Sequence, residues 1–279
     1  MSLNLSSVGW RSEPSSFTYD WKNVVLYALG IGATVDELDY LYEGRGPQVF
    51  PTFAVVPAIE HVFQCLQAAG IPLNAVVHGS QEVRSFEPTP PQATLATFGE
   101  VEGIFDMKKF ASLVVRTESY LEGGPKVYET RWSIIVRGAG NFGGAPPPRD
   151  DDASPPADRA PDFRHEQRTL REQALLYRLS GDVNPLHADP EVARAAGFDR
   201  PILHGLATFG FAARALCKYA CGGKASRLEA IRGQFRRPVL PGDTLVTEGW
   251  LDGPRVVFRV SVQERDEVVV SNASALIRP

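Results

Sequence analysis

The chain reads as an α+β protein built from two similar units, each a mostly antiparallel set of strands beside one long helix. Three features of its 279 residues predict this. Runs rich in β-branched residues alternate with tight turns in two separate sets. Each set is preceded by one long apolar helical pattern. The two halves also match at a nearly constant offset of 150 positions across a segment with no apolar periodicity.

In the first half, LYAL at 26–29 closes a helix, and Phe50 to Leu66 forms the longer second one. Strands are expected over 75–86, 94–101, 111–120 and 126–137, where Val, Ile, Thr and aromatic residues concentrate. Residues 144–162 hold six prolines and five aspartates, which predicts an exposed linker between a first unit at 1–143 and a second at 163–279. In the second unit LYRL at 176–179 closes the first helix, matching LYAL. Asp189 caps a short helix with Pro190 at its first position, and Gly197 ends it. Leu206 to Tyr219 is the long helix, with Leu206, Phe209, Ala213, Leu216 and Ala220 as a buried stripe and Gly222 and Gly223 as its stop. Strands follow over 231–239, 244–251, 256–262 and 267–277, with turns at 240–243 and 263–266. Pro51 matches Pro201, Phe53 matches Leu203, Leu66 matches Leu216, and AVVHG at 75–79 parallels EAIRG at 229–233.

The chemistry lies where the halves differ. YRLSGDVNPLH at 177–187 puts an acid (Asp182), an amide (Asn184) and an imidazole (His187) on one tight loop. Asn184 before Pro185 forms a turn, because proline fixes its own φ and pushes the preceding residue out of the helical region. Such a loop can aim Asp182 and His187 at one water and move protons on and off it. Plainer roles exist for both: Asp182 as a turn cap, His187 as a hydrogen-bonded structural histidine. At the same offset Asp182, Asn184 and His187 become Gly32, Thr34 and Glu37, while His204 and Gly205 become Ala54 and Val55. One site per chain is expected, in the second half. Gly205 opens the long helix there, and its N–H, lacking an intrahelical partner, can meet a developing oxyanion. His204 is read as structural, and His61 and His165 as surface or helix residues with no part in the chemistry.

Composition narrows the classes. A net charge of −4 gives no whole-molecule attraction to nucleic acid. Cys65, Cys217 and Cys221 cannot all pair and lack partners for a zinc set, so buried thiols are expected. Met1 to Trp10 lacks the basic start and apolar core of a signal peptide, no apolar run reaches membrane-span length, and the last residues lack a peroxisomal tripeptide. A cytoplasmic protein without membrane contact is the expectation. Arg227, Arg232, Arg236 and Arg237 share one segment, and strand alternation would put Arg232 and Arg236 on one face. Phosphate contact and a solvated basic edge both fit them.

Together these motifs resemble the MaoC-like, (R)-specific 2-enoyl-CoA hydratases (hydratase 2) of two-domain hot-dog type. YRLSGDVNPLHADP at 177–190 is similar to that family's signature, and PILHGLATFG at 201–210 to its central-helix entrance. YALGIG at 27–32, VHG at 77–79 and RGAGNFGG at 137–144 resemble its first-half landmarks, so the resemblance spans nearly the whole chain. It implies a double hot-dog, each unit an antiparallel sheet wrapped around a central helix, the first degenerate and given to acyl-chain accommodation. It also implies reversible syn hydration of trans-2-enoyl-CoA to (3R)-3-hydroxyacyl-CoA, with acyl-CoA as the partner, no metal, and no cofactor beyond the substrate's own CoA.

The family's catalytic pair falls on Asp182 and His187, with Asn184 assisting and Gly205 N–H at the thioester oxygen. Substrate contacts fall on His78, Gly79, Val183, Pro185, Leu186 and Phe235, with Arg236 added from the basic segment. A family lysine falls on Lys108, where this chain reads DMKK in place of the usual Asp-Lys-Gly run. Small residues Ala54 and Ala58 among Phe53 and Phe63 suggest a channel for a longer acyl tail. A homodimer of double units is expected. A thioesterase of the same fold, a dehydratase of carrier-bound or specialised acyl groups, and a non-catalytic acyl-CoA binding subunit are the rival readings.

Overall fold

In the computed structural model, which describes residues 3–148 and 152–279, ten strands of the described residues form one continuous antiparallel sheet. The first half supplies β1 (Ser15–Tyr19), β2 (Val76–Ser85), β3 (Ala93–Asp106), β4 (Phe110–Leu121) and β5 (Lys126–Arg137). The second supplies β6 (Phe163–Arg168), β7 (Leu228–Phe235), β8 (Thr244–Asp252), β9 (Arg255–Val262) and β10 (Glu267–Ile277). Their order is β1-β3-β4-β5-β2-β7-β10-β9-β8-β6, so each half repeats the other's topology from its own edge inward. The halves join where β2 pairs β7, with Ser80 opposite Gln234 and Arg84 opposite Ala230.

The helices repeat as well: α1 (Trp21–Gly30), α2 (Leu38–Leu41) and α3 (Val55–Ala68), then α4 (Gln173–Tyr177), α5 (Pro190–Ala195) and α6 (Gly205–Tyr219). Tyr27 and Tyr177, 150 positions apart, face each other with ring centroids 6.1 Å apart. Beside them Gln173 Nε2 donates to the carbonyls of Leu29 at 3.0 Å and Gly30 at 2.7 Å. These contacts dock the two halves through their equivalent helices. The long helix α3 buries one face, as its spacing predicts. On α6 every residue from Leu206 to Cys217 is buried, more than the expected stripe, because segments of both halves cover it. All three cysteines are buried free thiols.

The first half's equivalent of the acid–imidazole loop is filled in. Gly32 has φ +81°, and a methyl there would collide with the ring of Phe211 on α6. Arg214, also on α6 and 5 % exposed, forms an ion pair with Glu37 and donates to the Ile31 carbonyl at 3.0 Å. A phenylalanine and an arginine thus close the space around the counterparts of Asp182 and His187.

Several expectations need correction. Strands β1 and β6 have no strong alternating pattern and were not foreseen; both are short edge strands. Strand β7 runs over Leu228–Phe235 rather than 231–239, since Pro238 cannot donate to a ladder. Arg227 therefore precedes an eight-residue strand and Arg236 follows it, separating them by roughly 30 Å at ordinary strand rise. The arginines do not form one cluster, and Arg227 Nε is bound to the Arg278 carbonyl at 3.0 Å. Of the expected linker, residues 149–151 lie outside the described residues, and the part beyond them is pinned down. Ala153 is buried with its N–H on Asn272 Oδ1 at 2.8 Å, Trp250 Nε1 donates to the Arg159 carbonyl at 2.9 Å, and Leu251 N–H donates to Asp162 at 2.6 Å. His61 is on α3 but not at the surface: it is fully buried between the hydroxyls of Ser12 at 2.8 Å and Ser15 at 2.9 Å. His165 is on β6, within 3.2 Å of the Tyr219 hydroxyl.

Candidate active site

Local sequence folds the loop after α4 so that its acid and imidazole converge. Gly181 takes φ 122°, which turns the chain out of a short 3-10 turn over Arg178–Ser180. Asp182 Oδ1 accepts the Asn184 N–H at 3.3 Å, and Asn184 Oδ1 accepts the Leu186 N–H at 3.0 Å. The second bond caps a 3-10 turn, Pro185–His187, that starts on the proline. Asp189 then caps α5 through the Glu191 N–H at 2.7 Å. His187 is 8 % exposed, and its Nδ1 lies 2.9 Å from the Ile202 carbonyl. A carbonyl can only accept, so Nδ1 carries the proton and Nε2 keeps a free lone pair.

Asp182, His187 and His204 each bring one ligating atom into a group whose members lie within 4.8 Å of one another. Burial raises the Asp182 carboxyl pKa, partly opposed by His187, and burial lowers the His187 imidazole pKa, partly opposed by Asp182. The two proton affinities are pushed toward each other, which suits an acid and a base that exchange a proton. The same three groups could be asked to hold a metal ion. The rings of His187 and His204, however, are stacked with centroids 3.6 Å apart and planes 26° apart. Lone pairs lie in ring planes, so two nearly parallel rings converge poorly on one ion.

Gly205 follows His204 and is the first residue of α6. A Cβ at Gly205 would meet the Phe235 ring at 3.4 Å, an ordinary contact, so the glycine leaves room there without being forced by collision. Phe235, at the end of β7, lies 4.9 Å from the ring of His78 on β2, and His78 stacks flat on Trp132 at 5.2 Å. This aromatic wall joins the halves beside the Gly205 N–H. His78 Nε2–H donates to the Ser80 carbonyl at 3.0 Å, and burial pushes the His78 pKa down to about 4. Gly79 sits at a bulge of β2, where a Cβ would come within 2.9 Å of Ile135 Cγ1 and 3.2 Å of the Ser133 carbonyl.

The predicted residues are thus not all gathered. Asp182, His187, Gly205, Phe235, His78 and Gly79 lie on the adjoining elements just described, and Asn184, Pro185 and Leu186 build the loop itself. Asn184 spends its carbonyl oxygen on capping, so its place here is to shape the loop. Val183 is 60 % exposed. Lys108 is in the exposed turn between β3 and β4, and strand register sets it five residues beyond Leu113, the β4 residue level with His78. That is about 16 Å along the strand direction, so the Lys108 main chain lies well away from His78. Arg236 is exposed and held by the side chains of Ser271, at 2.6 Å, and Gln234.

Two features escaped the sequence. His204 is in the group itself, its Nε2 3.0 Å from the Asp182 carbonyl. A cavity of about 600 Å³ beside His187 is lined by Arg168, Arg171 and Arg200, which are too scattered in sequence to read as a set.

Comparison with known proteins agrees with this architecture. Residues 17–138 match the family described as "MFE-2 hydratase 2 N-terminal domain", and residues 152–273 match "MaoC like domain". The chain is 40% identical to "Enoyl-CoA hydratase 2, peroxisomal" of Arabidopsis thaliana, over 91% of this chain and 89% of that one. It is also 40% identical to "3-hydroxyacyl-thioester dehydratase Y" of Mycobacterium tuberculosis, over 95% and 94%. Among solved structures, a MaoC-like dehydratase from Phytophthora capsici superposes with a TM-score of 0.88 at 32% identity, covering 98% of this chain and 97% of that one. With both halves matched and both curated relatives covered nearly end to end, the chain belongs to the MaoC-like hydratase 2 family of double hot-dog proteins.

Proposed function

We propose that this protein catalyses the reversible syn addition of water to trans-2-enoyl-CoA thioesters, giving (3R)-3-hydroxyacyl-CoA in fatty acid metabolism, as a hydro-lyase. The observation that carries this reading is the pair of half-buried Asp182 and buried His187, with His187 presenting a bare Nε2. His187 Nε2 takes a proton from water as its oxygen bonds to C3. The C2–C3 π pair moves to C2, which receives the proton of the Asp182 carboxyl on the same face. The transient negative charge on the thioester oxygen meets the Gly205 N–H at the positive end of α6. Proton transfer from the imidazolium to the carboxylate then resets the pair, so only water has been added. Asn184 shapes the loop that holds both groups. No metal or cofactor takes part in these steps.

In the same reading the thioester lies between the loop residues Val183, Pro185 and Leu186 and the wall of His78, Gly79 and Phe235. Arg236 and Lys108 face the outlying phosphates of CoA. The first half accommodates the acyl tail. In the present structure Ala54 and Ala58 are fully buried and Phe53 packs on Tyr19 and Tyr27, so a long tail would have to displace these side chains. A residence in the cytoplasm, in keeping with three free thiols, and a homodimer of double units complete the proposal.

The deciding experiment adds the protein to crotonyl-CoA and follows loss of the enoyl-thioester absorbance alongside free thiol. Absorbance loss without thiol release, with an (R)-configured product, is expected. Thiol release would instead make the protein a thioesterase, and no change in either signal would make it a binding subunit.

A further inference from the structure

His204 is 1 % exposed, yet its ring nitrogen Nδ1 has no hydrogen-bond partner. The other nitrogen, Nε2, donates to the Asp182 carbonyl at 3.0 Å, which fixes the tautomer and leaves Nδ1 bare. Burying such an acceptor costs stability that an apolar side chain of similar size would avoid. The ring lies face to face with that of His187 at 3.6 Å, and the Tyr177 ring is 4.9 Å away. His204 is also the residue just before Gly205, at the N-terminus of α6. One side chain therefore touches the main chain of the acid and the ring of the imidazole, and its own backbone leads into the expected oxyanion donor.

We propose that His204 is the positioning residue of this site: its Nε2–H anchors Asp182, its ring seats the His187 ring, and α6 fixes both relative to the Gly205 N–H. This rests on the hydration reading for its catalytic consequence, though not for its geometry. The groups that face His204 are Tyr177 and Arg178 from α4 and the turn after it, and Asp182 and His187 from the loop. Burial, with His187 and Arg178 nearby, holds the His204 pKa well below the ordinary range. A neutral ring is what the arrangement needs, since a charge there would oppose proton uptake by the stacked His187.

Three substitutions separate the two contacts. H204Q keeps an N–H near the Asp182 carbonyl and loses the ring; H204F keeps the ring and loses the N–H; H204A loses both. For H204A, kcat in enoyl-CoA hydration is expected to fall about 100-fold with KM little changed, the scale of an ångström's misplacement of reacting groups. H204Q and H204F should each fall by an intermediate factor of about 10. Losing the stacked ring admits water to His187 and relieves the burial that lowers its pKa, so the acid limb of kcat should move to higher pH in H204A and H204Q but not in H204F. The His187 pKa, read from an NMR titration of its ring protons, should likewise rise in those two variants only.

A purely structural histidine would instead reduce the folded fraction, leaving the pH profile and the His187 titration where they were. Wild-type kcat in H204F, or an unmoved His187 titration in H204Q, overturns the proposal. If H204A does not fold, H204F and H204Q decide the matter. A wild-type protein that leaves enoyl-CoA unchanged defeats the hydration reading, while the NMR comparison still judges the seating of the His187 ring.

Discussion

Burial pulls Asp182 and His187 in opposite directions, and that has a stability cost as well as a catalytic use. The Asp182 pKa is higher in the folded chain than in the unfolded one. Its contribution therefore favours folding below the unfolded value and is lost as pH rises through the folded one. In D182N, kcat should drop on the order of 1000-fold, the weight of a general acid. Its melting temperature should stay near wild type at pH 4 and exceed it at pH 8. Equal melting temperatures at both values would mean the carboxyl is not strained by burial. His78 has the opposite sign: with its pKa pushed down to about 4, its contribution is present above about 6.5 and disappears as pH falls toward 4. Stability should decline over that interval by on the order of 2 kcal/mol, allowing for partial solvent access, and H78F should flatten the decline. A wild-type slope in H78F would remove His78 as the cause. At this scale the pair was legible because the two groups lie five positions apart on one loop. His204 and Trp132 were not, because they reach the site from α6 and β5, and only tertiary packing brings them there.

Between elements, the main device is the way α6 fills the first half's vacated loop. The sequence showed Gly32 and Glu37 where the second half has Asp182 and His187, but it could not show what took their place. Arg214 is buried beside Glu37, whose side chain is 21% exposed. Removing one partner strands the other's charge, so E37Q should destabilise the fold by about 3 kcal/mol in urea titrations. The double variant E37L/R214M should lose less than either single change, since a buried pair can give way to packed apolar side chains. Additive losses would show that the two residues act independently. G32A should also be destabilising, because it combines φ +81° with the collision against Phe211. Strands β5 and β10 were legible to the residue, since alternation and flanking turns mark both ends. The edge strands β1 and β6 were not, because five- and six-residue polar segments acquire strand geometry only from β3 and β8 beside them.

Across the whole molecule, the offset of 150 revealed two units but not their fusion. Pairing of β2 with β7 turns two five-stranded sets into one sheet, and one apolar core contains residues of both halves. Nothing in the strand sequences announces that pairing, because Val83 and Ile231 look like any inward-facing strand residues until their partners are known. A shared sheet, a shared core and the Arg214–Glu37 pair mean that neither half can unfold without exposing apolar surface of the other. Equilibrium unfolding should then be a single transition despite the two-unit layout. Trp10, Trp21 and Trp132 report on the first half and Trp250 on the second. With the tryptophans labelled as 5-fluorotryptophan, their four ¹⁹F resonances can be followed through a urea titration, with the expectation that the Trp132 and Trp250 midpoints coincide. Separate midpoints would show that the β2–β7 junction is a contact between independently stable units. E37Q, which weakens the contact between the halves, should lower both midpoints together. If it lowered the Trp132 midpoint alone, cooperation through α6 would be refuted even though the sheet is continuous.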